Sequence, residues 1–332
     1  MKSHQISAIR IGVIGAGGNA TGNAKAFLKY PGRCRVVAVA DPVLAAAQKL
    51  ADQCGAKAYS HFTDFLDEVD AVVISSPNFL HAEQTIICAA HGKHVWCEKP
   101  MALSDEEARR MVEAVNKAGV SSFVGFSVRF DPTTLKMKEI FDSGALGEPV
   151  SVWSRRLCYF PPEKTGSWRF DYEKSGGVMS ELMAHEIDWI VHFLGEPASV
   201  YCRKASRQHA DPRDNDHVWL AMAYPKELTA TIEGSQMAPI SDYYRGIVGT
   251  KASVYTARWG EKLEMVKVGT KTAIPLELGP VFPKHLHFLD VIDGRAKSVA
   301  DIAWGSRIVH LSMQAIASAV NNRVVEIQPL SL

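Results

Sequence analysis

Residues 180–189 read SELMAHEIDW and gather four groups able to hold or move protons: Glu181, His185, Glu186 and Asp188. Spacing of i, i+4 and i+7 puts Glu181, His185 and Asp188 on one side of a helix, with Glu186 pointing elsewhere. Three readings fit such a cluster: a metal site, a proton-transfer site, or the wet face of a helix. Zinc motifs of this kind set two histidines one turn apart, and no second nearby histidine joins His185, so no metal is expected. The choice between the other two depends on what the rest of the chain brings.

A second constellation lies near the N-terminus. GAGGNA at 15–20 fits G-x-G-x-x-A, the dinucleotide fingerprint with alanine last. Gly15 makes the tight turn, Gly17 lets the backbone approach a pyrophosphate, and Ala20 allows close helix–strand packing. Gly18 and Asn19 open a helix whose first N–H groups face the phosphates. Asp41 ends the next strand, at the distance along the chain where a carboxylate bonds the adenosine ribose hydroxyls. A carboxylate there repels a 2′-phosphate, so NAD is favoured over NADP.

These groups must be positioned by regular elements. The first part of the chain alternates short β-branched runs with helical patterns: IRIGVIG (9–15), CRVVAVAD (34–41), AVVISSP (71–77), HVWCE (94–98) and SSFVGF (121–126) are strands. Between the last two, Ser104 and Glu107 form a capping box and Gly119 a helix stop. Repeated βαβ units imply a doubly wound parallel sheet. After about residue 127 the rhythm changes to a helix over roughly 132–143 and then to alternating strands: PVSVWSRRL, SVYCRKA, HVWLAMAY, ELTATIEG, YRGIVGT and KLEMVKV. One main helix, over 178–194, interrupts them, and the tail returns to helix around 301–320. The expected fold is α/β, with an N-terminal Rossmann domain over 1–126. An α+β domain over 127–332 follows, built on a large open, mostly antiparallel sheet.

Bulk properties exclude several classes. The chain has 332 residues, 47% hydrophobic and 22% charged, with 37 Lys+Arg against 36 Asp+Glu and a net charge of +1. That balance gives no electrostatic case for a nucleic acid or anionic membrane partner. No apolar run approaches a membrane span, and the N-terminus lacks a secretory pattern. The six cysteines form no C-x-x-C pair, so they are expected to be buried thiols of a cytoplasmic protein.

Four further segments follow the glycine motif in order: SSPNFLHAEQTI (75–86), HVWCEKPMALS (94–104), GFSVRFDP (125–132) and SWRFDYEKSGGVMSELMAHEIDWIVHFLGEP (167–197). Together they resemble the glucose–fructose oxidoreductase/inositol dehydrogenase (Gfo/Idh/MocA) family, over nearly the whole chain. The resemblance implies a nicotinamide cofactor, a secondary alcohol of a sugar or cyclitol as substrate, and an open sheet that forms a homodimer or homotetramer. It places Ser76, Pro77, Asn78 and His81 near the ribose and nicotinamide, Glu98 by the cofactor, and Lys99 between cofactor and substrate. It puts Arg129 among substrate-binding residues and the family's Asp-x-x-x-His dyad on Glu181 and His185. Two departures stand out: glutamate replaces the usual aspartate at 181, and Met183 stands at a common glycine. Both are expected to alter the pocket wall or the reach of the dyad.

Hydride transfer from a carbinol needs a base for the hydroxyl proton and a group to stabilise the developing alkoxide. His185, with an ordinary pKa of about 6.5, suits the base. Glu181 orients it or bonds the substrate. Lys99 donates to the reacting oxygen, or is itself the base if desolvated; the sequence leaves these assignments open. In 158–171, Pro161, Pro162 and Gly166 mark a loop on which Tyr159, Phe160 and Trp168 can stack on a sugar while Arg169 bonds hydroxyls or cofactor. Tyr243, Tyr244, Arg245, His285 and His287 are weaker pocket candidates. The leading expectation is an NAD-dependent dehydrogenase. The alternatives are a redox-neutral epimerase, lyase or glycoside-cleaving enzyme working through a transient keto-sugar, and a non-catalytic NAD-binding regulator.

Overall fold

The computed structural model describes residues 8–160, 167–207, 216–257, 262–328 and 330. Pro161, Pro162 and Gly166 lie outside them. The chain divides into two compact units. Unit 1 holds the chain up to Gly125 and also Pro283–Ser306; unit 2 holds Phe126–Phe282 and the segment from Arg307.

Unit 1 contains six strands: β1 (Ile9–Ile14), β2 (Cys34–Ala40), β3 (Lys57–Tyr59), β4 (Ala71–Ile74), β5 (His94–Cys97) and β6 (Ser122–Val124). They run in the order β3-β2-β1-β4-β5-β6, and every pair is parallel. The order reverses beside β1, which puts a topological switch point at its C-terminal end. Four helices alternate with the strands: α1 (Gly18–Phe27), α2 (Leu44–Cys54), α3 (His81–Ala90) and α4 (Asp105–Ala118). Strands β1 and β4 are almost wholly buried, as expected when helices cover both faces of a parallel sheet. The capping of α4 is as the sequence suggests. Ser104 accepts from the Glu107 amide at 3.2 Å, Glu107 accepts from the Leu103 amide at 2.8 Å, and Gly119 ends the helix at φ 64°.

Unit 2 carries α5 (Pro132–Asp142), α6 (Tyr172–Ser175), α7 (Gly177–Glu181) and α8 (Ala184–Leu194). Its strands are β7 (Pro149–Tyr159), β8 (Ser199–Ala205), β9 (His217–Ala223), β10 (Thr229–Ser235), β11 (Met237–Gly249), β12 (Ala252–Ala257), β13 (Lys262–Lys267), β14 (Ile274–Pro275) and β15 (Val325–Glu326). They form one sheet in the order β14-β13-β12-β11-β7-β10-β9-β8-β15. All pairs are antiparallel except β7 with β10. Alternation decides its faces: Val152, Ser154, Ala230 and Ile232 are buried under α8, whereas Trp153, Arg155, Thr231 and Glu233 point the other way.

A single boundary near 126 does not describe this arrangement. After unit 2's sheet the chain returns to unit 1 as α9 (Lys284–Ile292) and then enters α10 (Ile302–Asn321). The return is driven by aromatic burial. Phe288, fully buried, meets Phe27, Trp96 and Phe123. Arg33 also bonds Asp290 at 2.8 Å and Asp293 at 2.9 Å. These partners lie far apart in the chain, so periodicity alone does not reveal the return.

Candidate active site

The nucleotide half is built at the C-terminal end of β1. Gly15 has φ +96°, and a Cβ there would lie 2.9 Å from the Ser75 carbonyl oxygen, so both conformation and space demand glycine. Gly17 caps α1 with no side chain over the helix end, and a Cβ at Gly17 or Gly18 would meet nothing within 4 Å. Gly17, Gly18 and Asn19 are exposed while Ala20 is fully buried. The open helix N-terminus suits a pyrophosphate. Asp41 is half-buried at the end of β2; it accepts from the Ala16 amide at 2.9 Å and from the Val43 amide at 2.9 Å. These bonds tie the carboxylate to the glycine loop itself.

Two further segments join this half. The His81 ring sits between the Pro100 carbonyl (Nδ1, 2.8 Å) and the Ser76 carbonyl (Nε2, 2.9 Å), with 1% exposure. His81 therefore lies between the β4 turn and the Glu98–Lys99–Pro100 turn, with both ring nitrogens facing backbone carbonyls. Asn78 is likewise buried, whereas Ser76 and Pro77 are half-buried. Glu98 Oε1 accepts from Asn23 Nδ2 at 2.9 Å and from Trp96 Nε1 at 3.1 Å. Lys99, next along, is half-buried and joined to Pro100 by a cis peptide bond. Sequence reasoning overlooked Asn23, although a signal existed: it is a polar residue on the same apolar helix stripe as Ala20, Ala24 and Phe27.

The second constellation belongs to unit 2 and is not one helix. α7 ends at Glu181 and α8 begins at Ala184, with Leu182 and Met183 between them. The i, i+4 relation across 181–185 thus spans a break. Glu181 turns to Arg169, whose Nε donates at 3.2 Å and whose guanidinium lies 4.5 Å from the Trp168 ring centroid. Tyr159 is 46% exposed. His185 is 8% exposed in the first turn of α8.

The other two acids of the stretch are structural. Asp188 is buried and takes Arg129 side-on: Nε donates to Oδ2 at 2.8 Å and Nη2 to Oδ1 at 2.6 Å. Arg129 is itself 3% exposed, so this pair holds α8 against residues 127–130. Glu186 does not face solvent. It is fully buried and accepts from Ser154 at 2.5 Å, Arg156 at 3.2 Å, and Arg245 Nε and Nη2 at 3.0 Å each. Burial alone would raise its pKa. Arg245, Arg156 and the Ser154 hydroxyl overcome that and hold the carboxyl below its usual range. Arg245 also donates to the Tyr243 hydroxyl. Arg245 and Tyr243 thus belong to this buried cluster, while Tyr244 lines a groove on the sheet's opposite face. His285 and His287 lie in unit 1, packed on Trp96 and Phe123. Met183 does not form a pocket wall. It is fully buried over β10, and a Cβ on Gly234 would come within 2.0 Å of its sulfur. The bulk gained at 183 is accommodated by a glycine in the sheet.

Comparison with known proteins finds matches in both units. Residues 9–126 match the oxidoreductase family with an NAD-binding Rossmann fold, and residues 134–255 match the GFO/IDH/MocA C-terminal domain. The chain belongs to the Gfo/Idh/MocA oxidoreductase family. Residues 9–126 are therefore the NAD-binding domain of that family. Inositol 2-dehydrogenase of Rhizobium meliloti is 31% identical over 255 residues, 74% of each chain. The 2,7-anhydro-N-acetylneuraminate hydratase of Escherichia coli is 33% identical over 190 residues, 56% of this chain and about half (51%) of that protein. Levoglucosan dehydrogenase, solved with NADH and levoglucosan, superposes with a TM-score of 0.89 over 97% of this chain and 100% of its own, at 21% identity, so the two share a fold. Among the described residues of this family member, no group of three or more His, Cys, Asp or Glu side chains is placed to hold a metal ion, and no helix is long and apolar enough to cross a membrane.

Proposed function

We propose that the protein is an NAD-dependent dehydrogenase acting on a secondary alcohol of a sugar, a sugar derivative or a polyol such as inositol. The observation that carries the reading is the division of labour in α8. Its acids Glu186 and Asp188 are locked to buried arginines, so the proton chemistry of SELMAHEIDW falls to His185. Bound NAD supplies the hydride acceptor. Lys99 donates to the substrate oxygen and stabilises the alkoxide character that develops there. The His185 imidazole accepts the hydroxyl proton. Glu181, held by Arg169, orients the imidazole or bonds a neighbouring hydroxyl. Trp168 and Tyr159 offer aromatic faces to a sugar ring. Asp41 favours an unphosphorylated adenosine ribose, hence NAD over NADP. The test is a panel of sugars, sugar acids and cyclitols with NAD or NADP, followed by NADH absorbance and product analysis. NADPH formed faster than NADH would defeat the Asp41 assignment, and no carbonyl product from any member would defeat the dehydrogenase.

A second reading has one observation in its favour, the similarity to a hydratase of an anhydro-sugar acid. On it, bound NAD would take up the substrate hydride transiently and give it back after a neighbouring bond has changed, with the same residues handling the protons. Product would then accumulate with no net NADH. We further propose that a second copy of the chain covers the open face of unit 2's sheet. A groove of about 560 Å³ there is lined by Trp153, Tyr201, Trp219 and Tyr244, with Trp219 46% exposed.

A further inference from the structure

Glu98 sits in an unusually complete setting whose members come from three parts of unit 1. Asn23 reaches it from α1, Trp96 from β5, and His285 reaches Asn23 from α9. The Asn23 amide donates through Nδ2 to Glu98 Oε1 at 2.9 Å and to Ser75 Oγ at 3.3 Å. That fixes the amide's orientation and leaves Oδ1 facing His285 Nε2 at 3.0 Å. The imidazole must therefore carry its proton on Nε2. Burial, with Lys284 and Lys29 adding, pushes its pKa down to about 3, so the ring is neutral and this is its single N–H. The ring has no room to turn: it stacks on Trp96 at 4.9 Å and 11° and meets the Phe27 edge at 4.8 Å and 87°.

A ring that only filled this cage would be better as phenylalanine, which has no polar nitrogen to desolvate. The imidazole does something phenylalanine cannot: it locks the Asn23 amide in the one orientation that donates to Glu98. On the other side, the carboxylate lies so near Gly125 that a Cβ there would be 2.6 Å from Oε2. Oε1 thus receives two N–H groups, while no donor among the described residues bonds Oε2.

We propose that His285 and Asn23 are positioning residues for the cofactor side of the reaction, holding Glu98 with Oε1 bound to protein and Oε2 kept for a hydroxyl or amide donor of the dinucleotide. The inference rests on the reading of this chain as an NAD enzyme, and it assigns to α9 a role beyond closing the core of unit 1.

The test reads NADH affinity, by nicotinamide fluorescence on the full chain, and so is independent of which alcohol is oxidised. His285→Phe keeps the aromatic cage and removes the donor; it should weaken NADH roughly ten-fold, the loss expected for one hydrogen bond near a charged group. His285→Gln, which restores an N–H, should recover part of the affinity. Glu98→Gln should weaken NADH in the wild-type background but add little to His285→Phe, because residues acting through one another are non-additive. In turnover the change should fall on KM for NAD more than on kcat. Wild-type NADH affinity in folded His285→Phe, or an undiminished Glu98→Gln effect in that background, overturns the proposal. If the ring replacement does not fold, Asn23→Ser, which spares the cage, carries the same expectation and the same refutation.

Discussion

His185 shares α8 with two carboxylates of opposite character, and that contrast sets what each residue should do when replaced. Lys99→Ala and His185→Ala should each lower kcat by about 10²–10⁴, the usual range for losing a proton-transfer group, while NADH affinity stays within a few-fold. Steady-state kinetics beside NADH titration checks both, and near-native turnover in both variants would remove them from the chemistry. Glu186→Gln should behave differently. It leaves Arg245, itself 3% exposed, beside a neutral amide, and losing one partner of a buried ion pair costs roughly 3–5 kcal/mol. A urea melt should record that loss. The residue types at the site were readable from the chain, but their surroundings were not. Glu186 and Asp188 look like solvated acids until β11 brings Arg245 and residues 127–130 bring Arg129. Neither arginine lies within a helical turn of its partner, so no local pattern announces the pairing.

At the scale of elements, the break between α7 and α8 is the clearest case of tertiary packing overriding local spacing. A continuous helix over 178–194 satisfies the periodicity, yet Leu182 and Met183 leave it, both buried and Met183 packed on Gly234 of the sheet. The glycine that receives Met183 should be testable by suppression. Gly234→Ala should destabilise the protein by about 1–3 kcal/mol through overpacking, and Met183→Ala in the same chain should recover most of it. Equal melting of the single and double variants would refute the contact. Strands with strong alternation, such as β8, β9 and β10, were legible in sequence. The two-residue β14 and β15 were not, because pairing with neighbours defines them. Helix α9 illustrates a further limit: its pattern is short, and its partners in α1, β5 and β6 lie far away in the chain. Elements also fix the response to acid. Burial pushes His285 down to about 3 and His192 to about 4, and lowers His94 and His287 as well. The unfolded chain then binds more protons than the folded one from about pH 6.5 downward, so stability is full above that pH and falls as the solution is acidified. For His285 and His192 the loss from pH 7 to pH 5 should be about 2 kcal/mol each. Thermal melts across this range should show it, with His192→Phe flattening the slope. A flat profile would mean the histidines are solvated.

For the whole molecule, the proposed self-association through the wide sheet of unit 2 is open to a direct test. Its outward face carries Trp219 and Tyr201 beside Arg155, Arg203 and Glu233. Trp219→Lys should shift the mass in solution toward the monomer, measured by light scattering, without unfolding either unit. An unchanged mass, or a monomeric wild type, would contradict self-association through this face. The two-unit organisation was largely legible in the sequence; the return of 283–306 was not. That return has a consequence for how the protein is made. Asn23 and His285 are 262 positions apart. During synthesis, the part of the nucleotide-binding unit before Phe126 therefore leaves the ribosome ahead of the strands of unit 2, and Pro283–Ser306, which completes it, follows them. While the strands of unit 2 are being translated, the surface of Phe27, Trp96 and Phe123 that α9 will cover stays uncovered. A chain stalled in that interval exposes aromatic surface of the kind that drives aggregation.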